Sequence, residues 1–141
     1  MSVARQRARV TVESIAAGGD GVARADGLVV FLPRTAPGDE GVAEFELRGR
    51  LARGRMLALE HPSAARVDPP CAHYVADRCG GCQLQHLERD AQLGAKGRIV
   101  ADAFARLARR PLAAEPEVRA AGEPWRYRRK LTLALRWQDG A

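Results

Sequence analysis

The chain has 141 residues, 46% of them hydrophobic, which allows one ordinary domain or two small ones and excludes a wholly disordered chain. Lys and Arg number 23 against 17 Asp and Glu, and the resulting charge of +6 makes nucleic acid the first partner to consider. No run approaches the roughly 18 apolar residues of a membrane span, and the basic start MSVARQRARVTVESI lacks the apolar stretch of a secretory signal; a cytoplasmic protein is expected.

The first sixty residues read as strands separated by glycine-rich turns. In Arg9 to Ile15, Val10 and Val12 alternate with Arg9, Thr11 and Glu13, a half-buried strand. After the turn AAGGDG, Gly21 to Arg24 leads through the hairpin signal Ala25-Asp26-Gly27 into the apolar run LVVFLP. A turn at Ala36-Pro37-Gly38-Asp39 precedes VAEFELRGR, in which Phe45 and Leu47 alternate with Glu44 and Glu46, and LARGRMLALE supplies a fifth strand. Five short strands broken by Gly and Pro predict a small closed or nearly closed β-barrel over residues 1–60. With aromatics at only 5%, its core must rest on aliphatic side chains.

A proline-bearing connector, HPSAARVDPP, leads into CAHYVADRCGGCQLQH, which carries all three cysteines of the chain; connector and cysteine stretch together form a second unit, 61–92. The period then becomes helical. Leu84, Leu87 and Ala91 mark one stripe, continued by Leu93, Val100, Phe104 and Leu107, with Gly94 and Gly97 predicting a bend or two helices. WRYRRKLTLALRW, with Leu131, Leu133 and Leu135 alternating, reads as the first strand of an incomplete central domain over 93–141. The fold class expected is therefore α+β.

Cys79-Gly80-Gly81-Cys82 is a C-x2-C pair, a spacing that lets two thiolates reach one metal from a tight turn, and Cys71 is near enough to be a third ligand. In a reducing compartment such a cluster points to metal rather than to disulfides. His73 and His86 are internal candidates for a fourth ligand, as in a Cys3His zinc site.

The segments VESIAAGGDGVARADGLVVFLPRTAPGDEGVAEFELRGR, HPSAARVDPPCAH, CGGCQLQHL and PWRYRRKL occur in the order found in the RNA (uracil-5-)-methyltransferases, and from about Val10 to Trp137 the chain resembles that family. The resemblance implies that residues 1–60 form a TRAM domain, an OB-like RNA-binding barrel. It implies a [4Fe-4S] cluster held by Cys71, Cys79, Cys82 and a fourth cysteine beyond Ala141. It also implies S-adenosylmethionine as methyl donor in the whole enzyme, bound in a Rossmann-like domain with the catalytic cysteine and carboxylate, none of which these residues include. The gap between Cys71 and Cys79, AHYVADR, is longer than the family's usual one.

On this reading the chain is the RNA-binding and iron–sulfur front of an RNA methyltransferase, acting on 23S ribosomal RNA ahead of transfer RNA, monomeric, and inactive as a methyltransferase by itself; the alternative is a non-catalytic RNA-binding module with zinc or iron–sulfur. No membrane or DNA partner is expected. Two arginine groups are the candidate RNA contacts: Arg53 and Arg55, with Arg48 and Arg50, around the last barrel turn, and Arg126, Arg128, Arg129 and Lys130 at the final strand. Phe31 and Tyr127 are candidates for stacking on an unpaired base, although Phe31, in an apolar run, is expected rather in the core.

Overall fold

The computed structural model describes residues 5–76, 79–127 and 130. Five strands, β1 (Arg5–Ile15), β2 (Gly21–Ala25), β3 (Leu28–Leu32), β4 (Glu40–Arg48) and β5 (Leu51–His61), close into a barrel in the order β1-β2-β3-β5-β4. All pairings are antiparallel except β3 with β5, which is parallel. Closure leaves no long unpaired edge, which suits a barrel of such short strands.

The alternation read from the sequence places the core. Val10, Val12, Ala23, Val30, Leu32 and Phe45 point inward and are buried, with Ala43 and Ala52 filling the narrow part. Burial of each large aliphatic or aromatic side chain here stabilises by about 1.5–3 kcal/mol. Asp26 and Gly27, with φ of 48° and 78°, form the two-residue turn that joins Ala25 to Leu28, the type I′ geometry its Asp-Gly sequence favours. Gly54 lies opposite Phe45, and a Cβ there would collide with the Glu44 carbonyl and the Phe45 side chain, so β4 and β5 approach closely only because that residue is glycine.

A second, smaller core closes one end of the barrel. Ile15, Ala36, Leu87 and Ala95 are buried together, with Leu84, Ala91 and Ile99 packed against them. The connector runs from β5 to a single bridge between Arg66 and Leu87, reinforced by Val67 N–H to His86 O at 3.0 Å and Glu88 N–H to Ala65 O at 2.9 Å. The cysteine stretch is thus an excursion pinched shut at its neck. It contains one helical turn, α1 (Ala72–Val75).

Helix α2 (Arg89–Arg106) is one continuous helix and runs through the expected boundary at 92/93. It differs from the bend or pair of helices that Gly94 and Gly97 suggest. Gly97 is buried, and a Cβ there would meet the Pro116 carbonyl at 3.1 Å and Val118 Cγ2 at 3.4 Å, so this glycine admits a crossing segment rather than breaking the helix. The buried face keeps the first part of the expected stripe, Leu84, Leu87 and Ala91, and departs from its continuation. Ala91, Ala95 and Ile99, at helical spacing, face the barrel, whereas Val100, Phe104 and Leu107 are 42%, 46% and 85% exposed. Leu84 and Leu87 precede the helix rather than belonging to it. Of the strand expected over WRYRRKLTLALRW, Trp125, Arg126, Tyr127 and Lys130 are irregular, and the run from Leu131 lies outside the described residues.

Candidate nucleic-acid interface

A groove of about 1130 Å³ runs along the barrel wall to the cysteine loop. Arg5, Arg34, Arg48, Arg53 and Arg55 line it from the barrel. Cys79, Gly80, Cys82 and Gln83 line it from the loop. Of the residues singled out in the sequence, Arg48, Arg53 and Arg55 are therefore brought together with Cys79 and Cys82. Arg126 and Lys130 are exposed and do not line the groove, and neither does Arg50 in the β4–β5 turn; Arg128 and Arg129 lie outside the described residues.

Strand register sets the arginines. Glu44 on β4 pairs with Arg7 on β1 and with Arg55 on β5, so one carboxylate stands between two guanidinium groups in a cross-strand row. Arg7 donates to Glu44 Oε1 from Nε at 3.1 Å and Nη2 at 2.8 Å; Arg55 donates to Oε2 at 3.4 Å, and Arg5 lies 3.8 Å away. Glu44, expected to face solvent, is only 8% exposed because these side chains cover it. The hydrogen bonds from Arg7 hold its carboxyl below the ordinary carboxylate range, against the opposing effect of burial, with the charges of Arg7, Arg55 and Arg5 helping. Three arginines around one carboxylate leave a net positive surface.

Phe31 is not in the core. On β3 the side chains of Val30 and Leu32 point inward and are fully buried, which turns Phe31 outward to a half-buried position beneath Arg53. An apolar run in a five-residue strand cannot show which parity faces in; the closure of the barrel decides it.

The cysteine loop is held to the barrel by three sets of interactions. His86 is buried, with Nε2 3.0 Å from the Thr35 carbonyl and Nδ1 2.7 Å from the Tyr74 hydroxyl. The carbonyl can only accept, so Nε2 carries a hydrogen; burial lowers the ring's pKa, keeping it neutral with Nδ1 as acceptor. The Tyr74 hydroxyl also lies 2.8 Å from the Gln83 carbonyl, and the Arg34 guanidinium lies 4.6 Å from the centre of the Tyr74 ring. Finally, Gly19, at φ 89°, gives Gln83 room: a Cβ there would sit 2.5 Å from Gln83 Cβ. His86 is therefore a tether, with both ring nitrogens already engaged, at Thr35 and at Tyr74.

The three thiols are all unpaired, Cys79 and Cys82 exposed and Cys71 half-buried at the head of α1. Gly80 leaves open space beside them, and a Cβ at Gly81 would approach Cys79 Sγ to 3.5 Å. Among the described residues no three His, Cys, Asp or Glu side chains converge as a metal site. Soft thiols are the donor type that a cluster or zinc takes, so the chemistry of the three cysteines suits such a group while their placement here does not gather them around one.

A barrel of this topology with an arginine groove along its wall defines a small OB-like module, and residues 3–57 match the TRAM domain family. Over nearly all of its length the chain is also similar to proteins named as RNA methyltransferases. It is 37% identical over 126 residues to an uncharacterized RNA methyltransferase of Protochlamydia amoebophila, covering 89% of this chain and 28% of that protein. It is 39% identical over 144 residues to another from Thermosynechococcus vestitus, covering 100% of this chain and 32% of that one. To the 23S rRNA (uracil(1939)-C(5))-methyltransferase RlmD of Dechloromonas aromatica it is 35% identical over 127 residues, 89% of this chain and 28% of that enzyme. The chain thus spans less than a third of the length of these relatives. No helix among the described residues is long and apolar enough to cross a membrane.

Proposed function

We propose that this chain is the RNA-recognition and iron–sulfur portion of an S-adenosylmethionine-dependent RNA (uracil-5-)-methyltransferase acting on 23S ribosomal RNA in the cytoplasm. The observation that carries the reading is the shared groove: barrel arginines and the cysteine loop line one surface, so a single RNA strand laid along it touches both. Homology to RNA methyltransferases supports the reaction class, and the relative named for 23S rRNA supports the substrate.

In this reading Cys71, Cys79 and Cys82 are three ligands of a [4Fe-4S] cluster. The methyl transfer needs no electron from such a group, so its contribution is to fix the loop that walls the groove. The chain's own residues do the rest: Arg48, Arg53 and Arg55 meet RNA phosphates and bases, while His86 and Tyr74 hold the loop at the barrel's end.

The test is photocrosslinking of the chain to a 4-thiouridine-substituted fragment of 23S rRNA, followed by peptide mapping. Crosslinks are expected on both walls, in β5 and in the 79–83 loop; crosslinks confined to the opposite barrel face would overturn the assignment. Anaerobic purification with metal analysis addresses the cysteines. Iron with inorganic sulfide and broad visible absorption supports the cluster, whereas one zinc per colourless chain favours the alternative, a non-catalytic RNA-binding module.

A further inference from the structure

Two groove arginines lie over aromatic rings. Arg53 Cζ is 5.7 Å from the centre of the Phe31 ring, and the two residues are direct partners in the parallel pairing of β3 with β5. Arg34 Cζ is 4.6 Å from the centre of the Tyr74 ring, and its backbone is fixed in the left-handed region at φ 59°. The other groove arginines are engaged differently. Arg5 and Arg55 gather at Glu44, and Arg48 donates from Nε to Glu46 at 2.8 Å.

A guanidinium laid on a ring is held from behind, and its planar outer face is a surface on which another flat π-system can stack. Arg53 keeps that outer side available: its side chain is 64% exposed, and its ion pair with Asp20 is a long one, at 3.7 Å. Phe31 has Val22 as its β2 partner and Arg53 as its β5 partner, so the ring is a supported floor and not a loose surface aromatic. In the Arg34 pair the floor is Tyr74, itself anchored by its hydroxyl to His86 and Gln83. One platform belongs to the barrel and the other joins the barrel to the cysteine loop, and both arginines line the same groove.

Resting on the RNA-binding reading above, we propose that Arg34 and Arg53 are base-stacking residues and that the groove takes unpaired RNA, one splayed base on each guanidinium. Bases in a duplex are already stacked on one another and present no free face to these residues. The arginines at Glu44 and Glu46 then serve the phosphates between.

Lysine substitution separates the two roles, because lysine keeps the charge and loses the planar face. The 141-residue chain is titrated with a single-stranded RNA of about ten nucleotides bearing 2-aminopurine, and with the same strand in a duplex. The wild type is expected to bind the single strand more tightly and to change its fluorescence. Arg34→Lys and Arg53→Lys are each expected to weaken single-strand binding by about tenfold with the salt slope unchanged. Arg24→Lys, an exposed cation paired with Glu13 outside the groove, is expected to stay within about twofold of wild type. Phe31→Leu, which keeps an apolar floor without a π face, should weaken binding in the same direction as Arg53→Lys. Single-strand binding that is salt-dependent but indifferent to Arg34→Lys and Arg53→Lys, or equal binding of duplex and single strand, overturns the stacking proposal alone. Failure of the wild type to bind either RNA overturns the RNA-binding reading itself.

Discussion

Arg66 of the connector grips the fully buried carboxylate of Asp39 in the β3–β4 turn, with Nε 2.8 Å from Oδ1 and Nη2 2.7 Å from Oδ2. Asp39 Oδ2 also accepts from Ala36 N–H at 2.6 Å and Oδ1 from Ser63 N–H at 2.9 Å, so one side chain joins the barrel to the start of the cysteine excursion. Burial alone would raise the pKa of this carboxyl, but the hydrogen bonds from Arg66, Ser63 and Ala36 and the Arg66 charge outweigh it and hold it below 3.8. Removing one partner of a buried ion pair strands the other. Arg66→Ala is therefore expected to cost about 3 kcal/mol in urea unfolding at neutral pH, the low end for buried pairs because Arg66 is 25% exposed. The contribution is fully present above pH 3.8 and is lost as pH falls through the depressed folded value, so the wild-type acid limb should be steeper than that of Asp39→Asn. A loss below about 1 kcal/mol would mean that the clamp is ornamental.

His86 supplies a second pH dependence with the same sign and a different window. Its pKa is lowered from 6.5, chiefly by burial, with Arg66 and Arg34 opposing the charge and Thr35 and Asp39 favouring it. The unfolded chain binds this proton more readily, so stability is full above pH 6.5 and declines as pH falls toward the lower folded value. Urea melts at about pH 7 and about pH 5.5 should show the decline, and His86→Ala should abolish that part of it. At neutral pH the same variant leaves the buried Thr35 carbonyl unmet, while the Tyr74 hydroxyl keeps the Gln83 carbonyl, and should cost about 1–2 kcal/mol.

Gly19 is where the β1–β2 turn meets the cysteine loop. Gly19→Ala adds a Cβ in a left-handed backbone and against Gln83 Cβ at 2.5 Å. The expected cost is about 1–3 kcal/mol, together with faster alkylation of Cys79 and Cys82 by maleimide as the loop lifts away. Unchanged alkylation rates would show that the loop keeps its place by other means.

Glu44 separates stability from RNA affinity. Glu44→Gln removes the carboxylate that gathers Arg5, Arg7 and Arg55, so the barrel should melt at a lower temperature while RNA binding at low salt becomes tighter by several-fold. A change of both in one direction would mean that the arginines reach RNA only when Glu44 positions them.

The barrel is legible in the sequence because each strand carries a local sign: the Val10/Val12 alternation, the Asp26-Gly27 turn, the Pro37-Gly38 break. Register and parity are not. Whether Phe31 faces in, and whether Glu44 meets Arg7 and Arg55, depends on strands far apart in the chain that close on one another. The helix shows the same division. Its period is readable, but past Ala91 its buried face runs through Ala95 and Ile99 and not through Val100, Phe104 and Leu107, because the residues that cover it, Ile15 and Ala36, come from the distant barrel. Within the site, spacing and charge identify the thiols and Arg53 and Arg55. Arg34, Tyr74 and the tethering role of His86 escape that reading, since each matters only through a partner across the fold.

The most direct measurement is the salt dependence of single-stranded RNA affinity for the wild-type chain and for Arg48→Glu/Arg55→Glu. If the groove is the RNA surface, the logarithm of the association constant should fall steeply with log salt for the wild type. The double reversal should make that slope shallower by about 1.4 or more, roughly 0.7 for each phosphate no longer neutralised, while weakening binding at every salt concentration. A slope unchanged by the double reversal, in a variant that melts like the wild type, would place the RNA elsewhere and contradict the groove assignment.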